Sequence, residues 1–396
     1  MSVWDSVIGQ TQVVQRLRKV TCADASKIAQ SWLICGSAGF GSVQVAKAFA
    51  AALESPDHGE GSGENSGENS GENSGEKLSK TAREVLAGSH PDVHTLTTEG
   101  ITLSVEAVRE VIGISEQMPS IAPWRIIIIE DVGRMLERST NVLLKEIEEP
   151  SEHTIWLLCA SSPQDVLPTI RSRTQLVQLA TPDEQSISQY IVAKTGAENN
   201  LANRAARLCQ GNVETALLYA SDERALSRRD ELVAGLLRMH DAADAIMLAS
   251  MLIEDAKAQA EDEVQRSVEA QQNEFRRING LADSDRVPPK LRTAYNAIGK
   301  KEEVKRKVTR VSRDVLGRSL DAINSVYRDV LVVLNNAQNS SPIINQDFKS
   351  DILALSKNLT VSSALNCVDN IATARRRLAR NGNATLVFEA LFCSLL

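Results

Sequence analysis

Four consecutive isoleucines, Ile126 to Ile129, stand between Arg125 and Glu130-Asp131 and constrain the fold more than any other stretch of the chain. A strand half-covered by solvent alternates apolar and polar residues. A strand that does not alternate is buried on both faces, as in the interior of a parallel sheet. Other short apolar runs, Leu33–Cys35, Val93–Leu96, Thr154–Cys159 and Gln175–Leu179, are separated by helical patterns: Gln44–Leu53, Leu78–Ala87, Ser104–Gln117 and Ser139–Glu149. Strands alternating with helices over about 180 residues predict one doubly wound α/β domain. The spacing predicts Ser104 as an N-cap, Gly88 as a helix stop, and a Pro-bounded turn at 167–173. Glu130-Asp131 close the isoleucine strand at its C-terminal end, where ligands bind in open α/β sheets.

After Thr181-Pro182 the pattern is helical throughout: Asp183–Lys194, Leu201–Cys209 and Val213–Ala220, then long charge-rich helices from Asp241, a break at Val287-Pro288-Pro289, and a final apolar helix Asn383–Leu396. The expected organisation is an α/β domain at 1–180, a small helical lid at 181–238 and an all-α collar at 239–396 whose apolar faces pack as a bundle. Within the first domain, residues 55–77 carry the repeat Gly-Glu-Asn-Ser. With no apolar side chain to bury, the repeat is expected to be a disordered insertion and an inert spacer.

The net charge of −7 comes from that insertion. Residues 54–76 hold seven acids and no Lys or Arg, and the remaining 44 acids equal the 44 cations. A neutral body argues against a stand-alone DNA-coating protein and leaves room for a local basic patch. The six cysteines are scattered with no Cys-x-x-Cys pair, which indicates reduced thiols and a cytoplasmic protein. No signal peptide or membrane-spanning run is expected.

"GSAGFGSV", Gly36 to Val43, follows the first strand and opens a helix, the setting of a phosphate-binding loop. Gly36, Gly39 and Gly41 keep the frame of G-x-x-x-x-G-K-[ST]. The lysine position holds Ser42, which carries no charge, and the Ser/Thr position holds Val43, which cannot ligate Mg²⁺.

Four stretches give the chain a family resemblance. "VWDSVIGQTQVVQRL" (3–17) is similar to the N-terminal box of AAA+ proteins. "GSHPDVHTL" (88–96), "TNVLLKEIEEP" (140–150) and "LPTIRSRTQLVQL" (167–179) resemble segments of clamp loader subunits. Their order and spacing cover most of residues 1–220 and resemble the delta-prime family of bacterial DNA polymerase III clamp loader subunits, whose nucleotide site is degenerate.

The resemblance implies an AAA+ P-loop-type domain with a lid and a collar. It implies no nucleotide in the chain's own site, with ATP and Mg²⁺ held by neighbouring subunits. Glu130-Asp131 depart from the Asp-Glu order of an active Walker B segment. Glu214 stands where active relatives place an arginine against the γ-phosphate. Arg173, in Ser172-Arg173-Thr174, matches the arginine that reaches the ATP of the adjacent subunit. Without the family, a surface salt bridge is the simpler reading of Arg173, and Arg171 is its nearest competitor.

Implied partners are the gamma/tau ATPase and delta subunits, the sliding clamp, and primer–template DNA through the complex, with Lys145 a DNA-facing candidate. The zinc module common in the family lacks its thiolates here: residues 36–158 contain no cysteine, and His58, His90 and His94 are too few and scattered. No metal is expected. The basic run Gly299–Arg310 is either a phosphate contact or the solvated face of a collar helix. An active divergent AAA+ ATPase and a catalytically dead scaffold remain the alternative functions.

Overall fold

The isoleucine run lies inside a parallel sheet, and each isoleucine pair serves a different core. In the computed structural model, which describes residues 2–37, 39–60, 78–97, 103–282 and 285–396, the strands are β1 (Ser31–Cys35), β2 (Val93–Leu96), β3 (Arg125–Ile129), β4 (Thr154–Ala160) and β5 (Gln175–Gln178). All neighbours are parallel, in the order β2-β3-β4-β1-β5. β4, not the isoleucine strand, is the middle strand. β3 lies one place from the edge, and the covering helices bury its two faces as completely as a central position would.

Ile126 and Ile128 join Trp32, Ile34, Ile155 and Leu157 on one face; Ile127 and Ile129 join Leu33, Trp156 and Leu158 on the other. All four isoleucines are fully buried, each worth about 1.5–3 kcal/mol relative to an exposed side chain.

The helices of the first unit are α1 (Thr11–Thr21), α2 (Ser42–Glu54), α3 (Lys80–Ala87), α4 (Val105–Ser115), α5 (Glu137–Glu148), α6 (Pro168–Arg171), α7 (Glu184–Thr195), α8 (Asn199–Leu208) and α9 (Val213–Ser221). α1, α2 and α3 cover the first face through Leu17, Phe49, Ala82 and Val85. α4 and α5 cover the second through Val108, Val111, Leu143 and Ile147.

The local signals act as expected. Ser104 caps α4 by accepting from the Ala107 N–H at 3.1 Å, and Gly88 ends α3 in the left-handed region at φ 73°. The Pro-bounded segment at 167–173 is not a bare turn. Pro168 sits at the first position of α6, where its missing N–H removes no helical bond. The Gly-Glu-Asn-Ser repeat lies outside the described residues.

The chain divides into compact units at Met1–Ser221 and Asp222–Leu396. The second holds α10 (Glu223–Leu237), α11 (Ala242–Ile278), α12 (Pro289–Ile298), α13 (Lys301–Leu334), α14 (Lys349–Asn358), α15 (Val361–Ala379) and α16 (Ala384–Ser394). α10, grouped by sequence with the lid segment 181–238, contributes Leu232, Val233 and Leu236 to the core of this unit. Alanines 245, 249 and 256 recur on one face of α11, and Phe388 and Phe392 of α16 fill the same core. Among the described residues, no helix is long and apolar enough to cross a membrane.

Candidate functional site

The loop after β1 begins at the C-terminal end of the sheet. The Gly36 N–H donates to Ala160 O at 3.1 Å, and the Leu179 N–H to Cys35 O at 2.7 Å. Gly41, the N-cap of α2, has φ 88° and ψ 26°, a conformation that disfavours a side chain. Gly39 is needed for a further reason. A Cβ there would lie 2.1 Å from Asn212 Oδ1, because the start of α9 closes on the loop. The Val213 N–H donates to Gly39 O at 2.9 Å, and Asn212 Oδ1 accepts from the Thr215 N–H at 2.9 Å. The lid therefore engages the loop backbone directly. Sequence patterns alone assign no role to Asn212; its only local signal is an Asn positioned to cap the helix that follows.

Val43 packs against the apolar cluster of the first face. Ser42 is half-buried, and its carbonyl lies 3.6 Å from Cys159 Sγ. Burial pushes the Cys159 thiol well above its ordinary range. The Cys35 thiol is pushed up to about 11 by burial and by the nearby Asp165. Both behave as small hydrophobes.

Glu130 pairs at 4.0 Å with Lys47, and Asp131 accepts from Arg134 Nε at 2.8 Å. Lys47, on α2, is a cation that the loop motif does not flag, because it lies five residues beyond the pattern's lysine position. Glu214 is exposed in the first turn of α9. The structure thus gathers Gly36, Gly39, Gly41, Ser42 and Val43 with Glu130 and Asp131 at one end of the sheet.

Arg173 is at the opposite end. The register pairs Trp32 with Gln175, which sets Arg173 level with Gln30, six residues or roughly 20 Å along the strands from Gly36. Its guanidinium is exposed, paired with Glu148, and donates to Thr169 O at 3.0 Å and Ser172 Oγ at 3.3 Å. It borders an open cleft with Gln30, Ile147 and Pro150. Arg171, also exposed, donates to Pro163 O at 3.3 Å. Lys145 is exposed on the last turn of α5. Glu148→Gln should change stability by no more than about 1 kcal/mol, as for other exposed pairs; urea unfolding of the variant checks this.

His90 and His94 belong to a buried polar cluster at the same end as Arg173. The Asp92 carboxylate accepts the N–H groups of Ser120, Ile121 and Ala122 at 2.7, 2.8 and 3.2 Å, and lies 3.3 Å from Arg125. Burial opposes its charge, but the three N–H groups and the guanidinium outweigh that and hold its pKa below the usual value. His90 Nδ1 accepts from the Asp92 N–H at 3.2 Å, and His94 Nε2 lies 3.2 Å from Arg125 Nη1. Burial and Arg125 hold the His94 pKa below its ordinary value. His58, with φ 50°, lies in the turn after α2.

A five-stranded parallel sheet in this order, with a glycine-hinged loop passing from β1 into a helix and a helical lid folded onto that loop, is the AAA+ P-loop-type fold. Residues 9–183 match the family model described as DNA polymerase III, delta subunit. The chain is 33% identical over 139 residues to DNA polymerase III subunit delta' of Escherichia coli K12, a match covering 34% of this chain and 42% of that protein. It is 25% identical over 243 residues to DNA polymerase III subunit tau/gamma of Haemophilus influenzae, covering 59% of this chain and 33% of that one. Among solved structures, a DNA polymerase III gamma subunit-related protein of Thermotoga maritima is 17% identical and covers 96% of this chain and 98% of that chain, with a TM-score of 0.42. Over residues 9–183 the chain is similar to the DNA polymerase III delta' subunits, a resemblance confined to part of its length. Its matches span less than half the length of three delta-prime relatives, 42%, 35% and 31%.

Proposed function

We propose that this chain is a non-hydrolysing, delta-prime-type subunit of a clamp loader. It works in the cytoplasm beside gamma/tau and delta subunits, and supplies Arg173 to the ATP of its neighbour while a sliding clamp is placed on primed DNA. The observation that carries the reading is the separation of Arg173 from the chain's own loop. An arginine roughly 20 Å from that loop has no route to a phosphate there, whereas its exposed position suits a phosphate held by another chain. A loop carrying Ser42 and Val43 offers neither the cation for β/γ-phosphates nor the hydroxyl for Mg²⁺.

The isolated chain is therefore expected to bind ATP·Mg²⁺ poorly and not to turn it over. Titration with a fluorescent ATP analogue, followed by phosphate release, measures both. Micromolar, Mg²⁺-dependent binding with turnover would instead identify an active divergent ATPase using Lys47 or backbone groups. Reconstitution with gamma/tau and delta subunits separates the loader subunit from a scaffold. A chain that fails to enter that complex is not a loader subunit.

A further inference from the structure

We infer that the far end of the α11–α13 hairpin, together with α12, binds the phosphate backbone of a nucleic acid. This surface belongs to the C-terminal unit, and the inference does not depend on the role given to Arg173.

Residues 286–313 hold ten Lys and Arg against two acids, Glu302 and Glu303, in a chain whose net charge is −7. The structure places these cations on the link before α12, on α12 and on the first part of α13. The C-terminal core takes residues of α11 only as far as Ala256, and of α13 only from Val315 onward. Beyond those points the two helices pack on each other through Ala260, Val264 and Val268 of α11. α12 buries none of its residues and joins the far end, where Gly299 lies against Val268 and Gln272.

Arg286, Lys290, Lys300, Lys301, Lys305 and Arg306 are all exposed, and none of them forms an ion pair among the described residues. The acids of α11 form no ion pair with them, although Asp262, Glu263 and Glu269 are also exposed on that helix. Glu261 is held by Lys257 and Glu274 by Arg277, both on α11 itself. Unpaired cations on an arm outside the core cost the fold little and create a local positive field.

Phosphate is favoured over a carboxylate partner by the layout. Lys301 and Lys305 stand one helical turn apart, about 5–6 Å between Cβ atoms, with Arg306 beside them. Lys290 stands in the first turn of a second helix, α12. Such a row suits an evenly charged polymer. An acidic peptide would also need an apolar anchor, and the arm's one aromatic pair, Phe275 and Tyr295, is used internally, with Arg276 over the Tyr295 ring.

The test uses the full chain and the variant Lys300→Gln/Lys301→Gln/Lys305→Gln/Arg306→Gln, with Lys349→Gln/Lys357→Gln on α14 as control. Binding to a fluorescein-labelled 30-base-pair duplex and to a single strand of the same length is followed by anisotropy across a salt series. The parent and the control should bind at least one of the two DNAs. The four-fold variant should bind it at least tenfold more weakly at low salt, with the slope of log K against log salt reduced by about 3–4. Circular dichroism should show its helices intact.

Duplex binding alone assigns the arm to paired DNA, and preference for the strand assigns it to unpaired DNA. The inference is overturned if the parent binds neither DNA at 50 mM salt or if the folded four-fold variant binds like the parent. It is also overturned if poly-glutamate displaces the DNA as well as an equal charge of unlabelled DNA does.

Discussion

On the proposed trans role, Arg173→Ala should leave the chain folded and able to join a reconstituted loader, while the neighbouring ATP site should lose about 10³–10⁵ in rate. The stability side follows from exposure. Arg173 and Glu148 form a half-exposed surface pair, and such pairs contribute about 0–1 kcal/mol. No apolar core is removed, because the residue follows α6 at the surface.

The rate side follows from charge. A guanidinium on a γ-phosphate stabilises the negative charge that develops during phosphoryl transfer. Arg171, two residues earlier, is turned towards Pro163 O, so Arg171→Ala should have the smaller effect. Arg173→Lys should restore only part of the rate, since an ammonium lacks the planar fork that spans two phosphate oxygens. The readout is clamp- and DNA-stimulated ATPase of the assembled complex. An Arg173→Ala complex that hydrolyses ATP and loads clamps at the parent rate would remove Arg173 from the mechanism. A complex that fails to assemble would show a structural role for Arg173 instead.

The parts of this molecule legible in the sequence are those governed by local periodicity. Val93–Leu96 appears as a strand with the expected bounds, and α7 fills the expected helical segment from Asp183, which serves as its cap and accepts from the Ser186 N–H at 2.8 Å. Non-alternating isoleucines announced two buried faces, but could not say which of two interior strands lay in the middle, since β3 and β4 are equally buried. The glycine frame of the loop was visible because φ > 0 leaves a residue-type signature.

The contact of Asn212 with Gly39 was not visible. It joins residues 173 positions apart, and no local pattern encodes such a distance. The same holds for the pairing of Arg173 with Glu148 and for Lys47 with Glu130. The boundary of the second unit was missed for a related reason. An amphipathic helix such as α10 advertises an apolar face but not which core will receive it.

Glu54 should give the first unit a stability that falls as pH rises from about 4.5 to 8, and Glu54→Gln should remove that slope. The carboxyl sits at the end of α2, only 4% exposed, with no hydrogen-bond partner for either oxygen. Burial is the main cause of its elevation, and its pKa is pushed up to about 8 from 4.5. The nearby Trp124 N–H, which lies outside hydrogen-bond geometry, offsets part of this; Asp92 adds to the elevation, and Arg125 opposes it.

The folded state therefore keeps a proton that the unfolded chain releases above pH 4.5. The favourable contribution is complete below the unfolded pKa and is lost as pH rises through the folded one. Each pH unit between those two values corresponds to about 1.4 kcal/mol, so the loss from this group reaches up to about 5 kcal/mol above pH 8. Glutamine keeps the shape of the protonated acid and has no proton to lose. Relative to the parent, the variant should gain several kcal/mol on going from pH 5 to pH 9, whatever constant offset its amide adds. All four tryptophans, 4, 32, 124 and 156, lie in the first unit, so urea unfolding followed by tryptophan fluorescence reports on it separately. If parent and variant keep the same stability difference at both pH values, Glu54 is ionised in the folded protein and the solvent reaches a carboxylate that the structure encloses.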